Sequence, residues 1–282
     1  MKKLWLFIAL LAFTAVFAGS SQAQLPIEQR VDHFRCYIVP QSPTLNVNVQ
    51  LVDQFDAAIN QVEEITQLVI VRFCNPVQKT LPTGEVTPIV DIKHHLTLFT
   101  INPQPMVLRT VVIKNQFGQQ VITTADAKVL AVPTGKGLPP NPPPPPSTDL
   151  DHYKCYTASG NAVNLPVLLK DQFLSEDTTV LRPVLFCNPV KKTHGTVVVG
   201  IQNPDVHLTC YVTSASHFTG TSINIRNQFV ALNNLVLRQP DLLCVPSLKV
   251  AWAAQTAPAP PDAGAATPTQ PAKAESAATR KP

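Results

Sequence analysis

One pattern recurs four times along the chain and limits its fold more than any other feature: His-x-x-Cys-Tyr, then Asp/Asn-Gln-Phe, then Cys-x-Pro. Module 1 carries it as His33, Cys36-Tyr37, Asp53-Gln54-Phe55 and Cys74-Asn75-Pro76. Module 3 repeats it as His152, Cys155-Tyr156, Asp171-Gln172-Phe173 and Cys187-Asn188-Pro189. Module 4 has His207, Cys210-Tyr211, Asn227-Gln228-Phe229 and Cys244-Val245-Pro246. Module 2 keeps His95, Asn115-Gln116-Phe117 and Val132-Pro133 but holds Leu98 and Ala131 where the two cysteines belong. A period of about 45 to 60 residues is typical of repeat architectures, and one such unit is near the size at which a core alone is marginal. The expected folding unit is therefore a pair of modules: one domain over 32–135 and a second over 149–252, each with internal pseudo-twofold symmetry.

The repeats also choose among the fifteen pairings that six cysteines allow. Because module 2 has lost both of its cysteines together, the rest are expected to pair within modules, as Cys36 with Cys74, Cys155 with Cys187 and Cys210 with Cys244. Each bridge closes a loop of roughly 32 to 38 residues, worth on the order of 3 to 4 kcal/mol by the chain-entropy account. On this reading the first body, with one bridge, is less stable than the second, with two. His-x-x-Cys followed by a later Cys could also supply zinc ligands, but module 2 retains His95 without either thiol and no Cys-x-x-Cys knuckle occurs, so no metal is expected.

Disulfides need an oxidising compartment. The first residues supply a route to one: Lys2 and Lys3 precede an apolar run from Leu4 to Ala18, followed by the small and polar stretch Gly19 to Gln24. This layout is that of a secretory signal peptide over 1–23, cut after Ala23 or Ala18, and the run is shorter than the roughly 20 residues of a membrane span. The mature chain is thus expected to be secreted, periplasmic or on the cell surface, with no membrane span after signal removal. Losing the signal takes the net charge of +4 down to +2. With 14% charged residues and no Lys/Arg run long enough to track a phosphate backbone, nucleic acid is excluded as a partner.

Prolines cluster in two places. Pro139-Pro140-Asn141-Pro142 through Pro146 lies in a Pro-rich linker over 136–148, expected to run as an extended, semi-rigid spacer. The segment 253–282 mixes Ala, Pro and Thr with few large apolar side chains and is expected to be a disordered tail. Between these, apolar residues alternate with polar ones at Val47, Val49 and Leu51, at Val163, Leu165, Val167 and Leu169, and at Ile223 and Ile225. Such alternation reads as half-buried strands, and the fold class is all-β: two β-sandwich or barrel-like domains, with strands exchanged between the modules of a pair. Ala57 to Val71 is the best helical candidate.

The recurring His33, His95, His152 and His207, with Asp53 and Asp171 as orienting acids, are the obvious candidates for catalysis. The acids become Asn115 and Asn227 in the other two modules, and no unique nucleophile or paired carboxylate completes a constellation. These eight residues are read as structural, holding strand edges and turns, and no catalytic residue or cofactor is assigned. Carbohydrate binding has little aromatic support, since Trp252 is the one tryptophan left after the signal.

The motifs His-Tyr-Lys-Cys-Tyr, Asp-Gln-Phe, Phe-Cys-Asn-Pro-Val-Lys, His-Leu-Thr-Cys-Tyr, Asn-Gln-Phe and Leu-Leu-Cys-Val-Pro-Ser-Leu-Lys resemble an uncharacterised domain of secreted proteins from environmental bacteria, often present in tandem. The resemblance spans Asp32 to Trp252 and implies architecture without an activity. The leading expectation is an exported, non-enzymatic structural, adhesion or protein-interaction protein, its partner an unknown extracellular protein or cell-envelope component. The alternative is a secreted hydrolase, or a carbohydrate- or small-ligand-binding protein that uses a groove between paired modules.

Overall fold

The structure is a computed structural model that describes residues 26–255. The signal segment 1–23 and nearly all of the tail lie outside the described residues. The elements run β1 (Phe34–Ile38), β2 (Thr44–Val52), α1 (Gln54–Ala57), β3 (Glu63–Pro76), β4 (Gln78–Thr80), β5 (Val86–Thr87), β6 (Leu96–Ile101), β7 (Arg109–Asn115), β8 (Gly118–Pro133) and β9 (Gly135–Gly137). They continue with β10 (Tyr153–Gly160), β11 (Leu165–Lys170), β12 (Ser175–Pro189), β13 (Lys191–His194), β14 (Val197–Val199), β15 (His207–Thr213), β16 (Thr221–Arg226), β17 (Ala231–Leu237) and β18 (Pro240–Ala254). The fold is all-β. The helical candidate Ala57 to Val71 is mostly strand: α1 stops at Ala57, Asn60 turns the chain at positive φ, and the alternating, β-branched stretch from Glu63 onward enters β3. The tail boundary shifts as well, since Ala253 and Ala254 belong to β18.

Eight strands close into a barrel. In order round the ring they are β1, β3, β6, β8, β10, β12, β15 and β18, every neighbour antiparallel, with β18 returning to β1. Each module supplies two of them, so the halves 32–135 and 149–252, expected as separate bodies, share one sheet and one interior. The joints between halves are β8 with β10 and β18 with β1. A closed ring has no free edge, which removes the reason for a two-module unit to stand alone.

The barrel interior is lined by one residue pair per module at matching register. Cys36 faces Cys74, Leu98 faces Ala131, Cys155 faces Cys187 and Cys210 faces Cys244. The three cysteine pairs are disulfides, and Leu98 with Ala131 fills the fourth position with apolar bulk. One barrel means that each bridge staples the same cooperative unit. Replacing Cys155 and Cys187 together by Ala is expected to cost about 3 to 4 kcal/mol, and replacing Cys36 and Cys74 about as much. Urea denaturation should show one transition in each case; two transitions, or a loss confined to half of the chain, would count against a shared barrel.

Strand exchange joins modules of different halves rather than neighbours within a half. The short strand after each proline landmark adds to a hairpin two modules away: β4 to β11, β9 to β16, β13 to β2, and the end of β18 to β7. These hairpins cover the outer face of the barrel, so Tyr37, Tyr156 and Tyr211 are buried outside the ring while Phe34, Tyr153 and the cysteines are buried inside it. The Pro-rich segment does not span a gap either. It folds back over β9, whose Gly135 and Gly137 leave room for it: a Cβ on Gly135 would stand 1.8 Å from the Pro144 carbonyl oxygen, and one on Gly137 2.6 Å from that of Asn141. Gly135→Ala is therefore expected to lose about 1 to 3 kcal/mol, measured by thermal or urea unfolding, since the atom it meets is backbone.

Candidate functional site

The Asp/Asn-Gln-Phe triplets are side-chain-capped turns. Asp53 Oδ1 accepts from the backbone N–H groups of Phe55 at 2.8 Å and Asp56 at 3.1 Å, and Asp171 Oδ1 from those of Phe173 and Leu174 at 2.8 and 3.0 Å. Asn227 Oδ1 does the same for Phe229 and Val230, and Asn115 Oδ1 for Phe117. An acceptor oxygen is all the turn requires, which is why acid and amide interchange here.

The remaining side-chain atom reaches the module two positions away. Tyr156 Oη donates to Asp53 Oδ2 at 2.9 Å and Tyr37 Oη to Asp171 Oδ2 at 2.8 Å, whereas Asn115 Nδ2 donates to Tyr211 Oη at 2.9 Å. Charge follows the same division. Lys154 is fully buried against Asp56 at 2.6 Å, Glu63 at 3.0 Å and Asp53 at 3.7 Å, and Arg35 reaches Glu176 at 3.6 Å and the carbonyls of Leu169 and Leu174. Thr97 and Thr209 hold the corresponding place in the modules that lack these cations. Burial, the Asp53 charge and the opposing pull of Lys154 leave the Asp56 carboxyl raised to about 6.

The four histidines are buried in separate niches. Their backbones do edge work, with Val77, Thr134 and Val190 N–H groups donating to the carbonyls of His33, His95 and His152. The rings do not: Nδ1 of His33, His95, His152 and His207 has no hydrogen-bond partner among the described residues. Burial, and then the charge of a lysine of the same module, pushes His33 and His152 down to about 3, and lowers His95 and His207 well below the usual value. All four rings are neutral at neutral pH.

The lysines in question are Lys79, Lys136, Lys192 and Lys249, each pushed down to about 8 chiefly by burial. Each sits over the Phe of a neighbouring turn: Lys79 over Phe117, Lys136 over Phe173, Lys192 over Phe229 and Lys249 over Phe55, at 4.5 to 5.5 Å from the ring centre. Sequence reasoning passed over them, although all four lie three residues after the module's proline, as Pro76, Pro133, Pro189 and Pro246. His152, Asp171 and His207 do not share a cleft. His207 lines a shallow depression with Lys249, and Asp171 lines a cavity with His95.

That cavity has a volume of about 410 Å³ and lies where modules 1, 2 and 3 meet. Asn75, Gln78, His95, Lys136, Lys170, Asp171 and Gln172 form its polar wall, and Pro76, Ile89 and Ile92 its apolar one. Lys136 Nζ donates to Asn75 Oδ1 at 2.7 Å. Elsewhere, Asp91, His94 and Asp149 bring three metal-capable atoms within 4.8 Å of one another. His94 is already engaged, Nδ1 with the buried Asp32 at 2.8 Å and Nε2 with Asp149 at 3.2 Å. Burial opposes its charge, but these carboxylates outweigh burial and raise its pKa, so the trio acts as an ion-pair clamp that ties the loop at 90–94 to the segment after the prolines. No described helix is long and apolar enough to cross a membrane.

A family profile described as a repeat of unknown function, DUF7450, matches residues 95–246, more than half of the chain. No curated protein and no solved structure matches it.

Proposed function

This chain belongs to the DUF7450 family of repeats of unknown function, and we propose that it is an exported, non-catalytic β-barrel that serves structure, adhesion or protein interaction outside the reducing cytosol. One observation supports this above others: the Asp/Asn and Tyr side chains that recur in the modules are engaged in turns and contacts that lock module to module. Asp53, Asn115, Asp171 and Asn227 are turn caps, the four repeated histidines are buried and neutral, and all six cysteines are oxidised. The bridges fit secretion through the signal over 1–23, and surface loops between the barrel strands would meet an extracellular or cell-envelope partner.

The test has two arms. The purified, oxidised barrel is expected to turn over no chromogenic ester, glycoside, phosphate ester or peptide, and the fluorescently labelled protein to bind isolated cell envelopes saturably. Turnover abolished by His95→Gln would overturn the non-catalytic reading. Absence of saturable envelope binding would overturn the interaction role.

A further inference from the structure

We propose that the cavity between modules 1, 2 and 3 binds a small monocarboxylate with an apolar tail, its carboxylate taken by Asn75 Nδ2 and Lys136 Nζ and its tail laid along Ile89, Ile92 and Pro76. The strongest support comes from comparing Asn75 with Asn188, which occupies the same place in module 3. Asn188 is closed on both sides: its Oδ1 accepts from Lys249 at 3.0 Å and its Nδ2 donates to Asp53 Oδ2 at 2.9 Å. Asn75 has the first contact, from Lys136, but its Nδ2 has no partner although the residue is 1% exposed and lines the cavity. A buried amide donor without an acceptor carries its whole desolvation penalty, so an acceptor supplied by a ligand at this point gains more than it would in water.

The other groups decide the sign of that acceptor. Asp171 is the one carboxylate of the wall, and both of its oxygens are occupied, Oδ1 by the turn N–H groups and Oδ2 by the Tyr37 hydroxyl. Lys136 and Lys170, with the amides of Gln78 and Gln172, leave the wall with surplus donors and a net positive charge. An anion fits such a wall, and a carboxylate bearing an apolar tail fits a cavity whose opposite side is Ile and Pro. The volume lies in the range of small-ligand sites. At the matching place in the other half, the Asn188 amide is closed by Asp53, and the smaller depression lined by His207 and Lys249, about 270 Å³, does not have Asn188 in its wall.

Octanoate is the probe, with octanol as its uncharged counterpart, titrated into the folded, oxidised protein by calorimetry and by amide NMR. One octanoate is expected to bind per chain, to shift the Asn75 side-chain amide resonance, and to bind at least tenfold more tightly than octanol. Lys136→Met and Asn75→Leu should each weaken it at least tenfold, while Lys249→Met, beside the closed Asn188 amide, leaves it within twofold. Equal binding of octanol, no saturable binding at millimolar octanoate, or an unshifted Asn75 amide in the wild-type protein would overturn the assignment. The NMR arm needs no variant, so a misfolded substitution does not remove the test. The barrel could still serve as a scaffold if octanoate fails, because envelope binding is measured separately.

Discussion

Acidification from pH 6.5 towards 3 is expected to unfold the barrel steeply, and mild alkali to strengthen it. His33 and His152 titrate near 3 in the folded chain, against about 6.5 when exposed, because burial and a neighbouring lysine disfavour the imidazolium. Between those limits the unfolded chain binds the extra proton, so stability is present above pH 6.5 and lost as the pH falls towards 3. Each ring contributes about 1.4 kcal/mol per pH unit, and two rings remove about 5 kcal/mol by pH 4.5, with His95 and His207 acting in the same direction. That is comparable to the whole stability of many domains. The lysines extend the trend upward. Lys79, Lys136, Lys192 and Lys249 titrate near 8 instead of 10.5, so the unfolded state again holds more protons, and stability rises from pH 8 to 10.5. Three sets of groups oppose this, each because its pKa is raised in the folded chain: Asp56 between 3.8 and about 6, His94 above 6.5, and Tyr37, Tyr153, Tyr156 and Tyr211 near 10. Urea midpoints should climb from pH 4.5 to 6.5 and again from pH 8 to 9.5, and His152→Gln should flatten the acid limb. A maximum near pH 6 would refute the burial of neutral rings and lysines.

Lys154→Met is expected to cost about 3 to 5 kcal/mol at pH 8, the typical loss when one partner is removed from a buried ion cluster. The lysine is enclosed, and Asp53, Asp56 and Glu63 converge on it from the other half of the chain. Without it, three acids remain in a space that solvates none of them well. Asp56 then takes up a proton more readily, so the deficit should shrink at pH 5, and Lys154→Met combined with Asp56→Asn should recover part of it. Chemical denaturation of the four proteins of this double-mutant cycle measures the coupling. A loss below about 1 kcal/mol at pH 8 would mean that the cluster is hydrated and carries little of the contact between modules.

Much of this was legible in the sequence because it is local. The alternation at Val163 to Leu169 gives β11, and the paired loss at Leu98 and Ala131 singles out partners that face one another in the barrel. The interchange of Asp53 with Asn115 pointed to a turn, where both side-chain oxygens accept from backbone N–H groups. What stayed hidden is set by curvature. That β4 joins β11, or that Asp53 meets Tyr156, follows from closing eight strands into a ring, and no pattern within a module encodes it. The proline run misled for a related reason: its composition specifies a stiff rod, but two glycines ahead of it determine that the rod lies flat on the barrel. The niche lysines carried a visible signal, Pro-x-x-Lys in every module, whose meaning appears only when the histidine and the neighbouring Phe are brought beside it.

The pairing of β1 with β18 sets a timetable for the chain. Cys36 and Cys244, neighbours in the finished interior, are 208 residues apart, so the ring cannot seal until its last strand has emerged. Contacts of such sequence separation form slowly, since the loop entropy must be overcome before they stabilise anything. Until the stretch Pro240–Ala254 is available, β1 has no partner on that side and the eight strands cannot close. Cys244, the last of the six cysteines, lies on that closing strand, so the third bridge, to Cys210, and the sealing of the ring depend on the same stretch of chain.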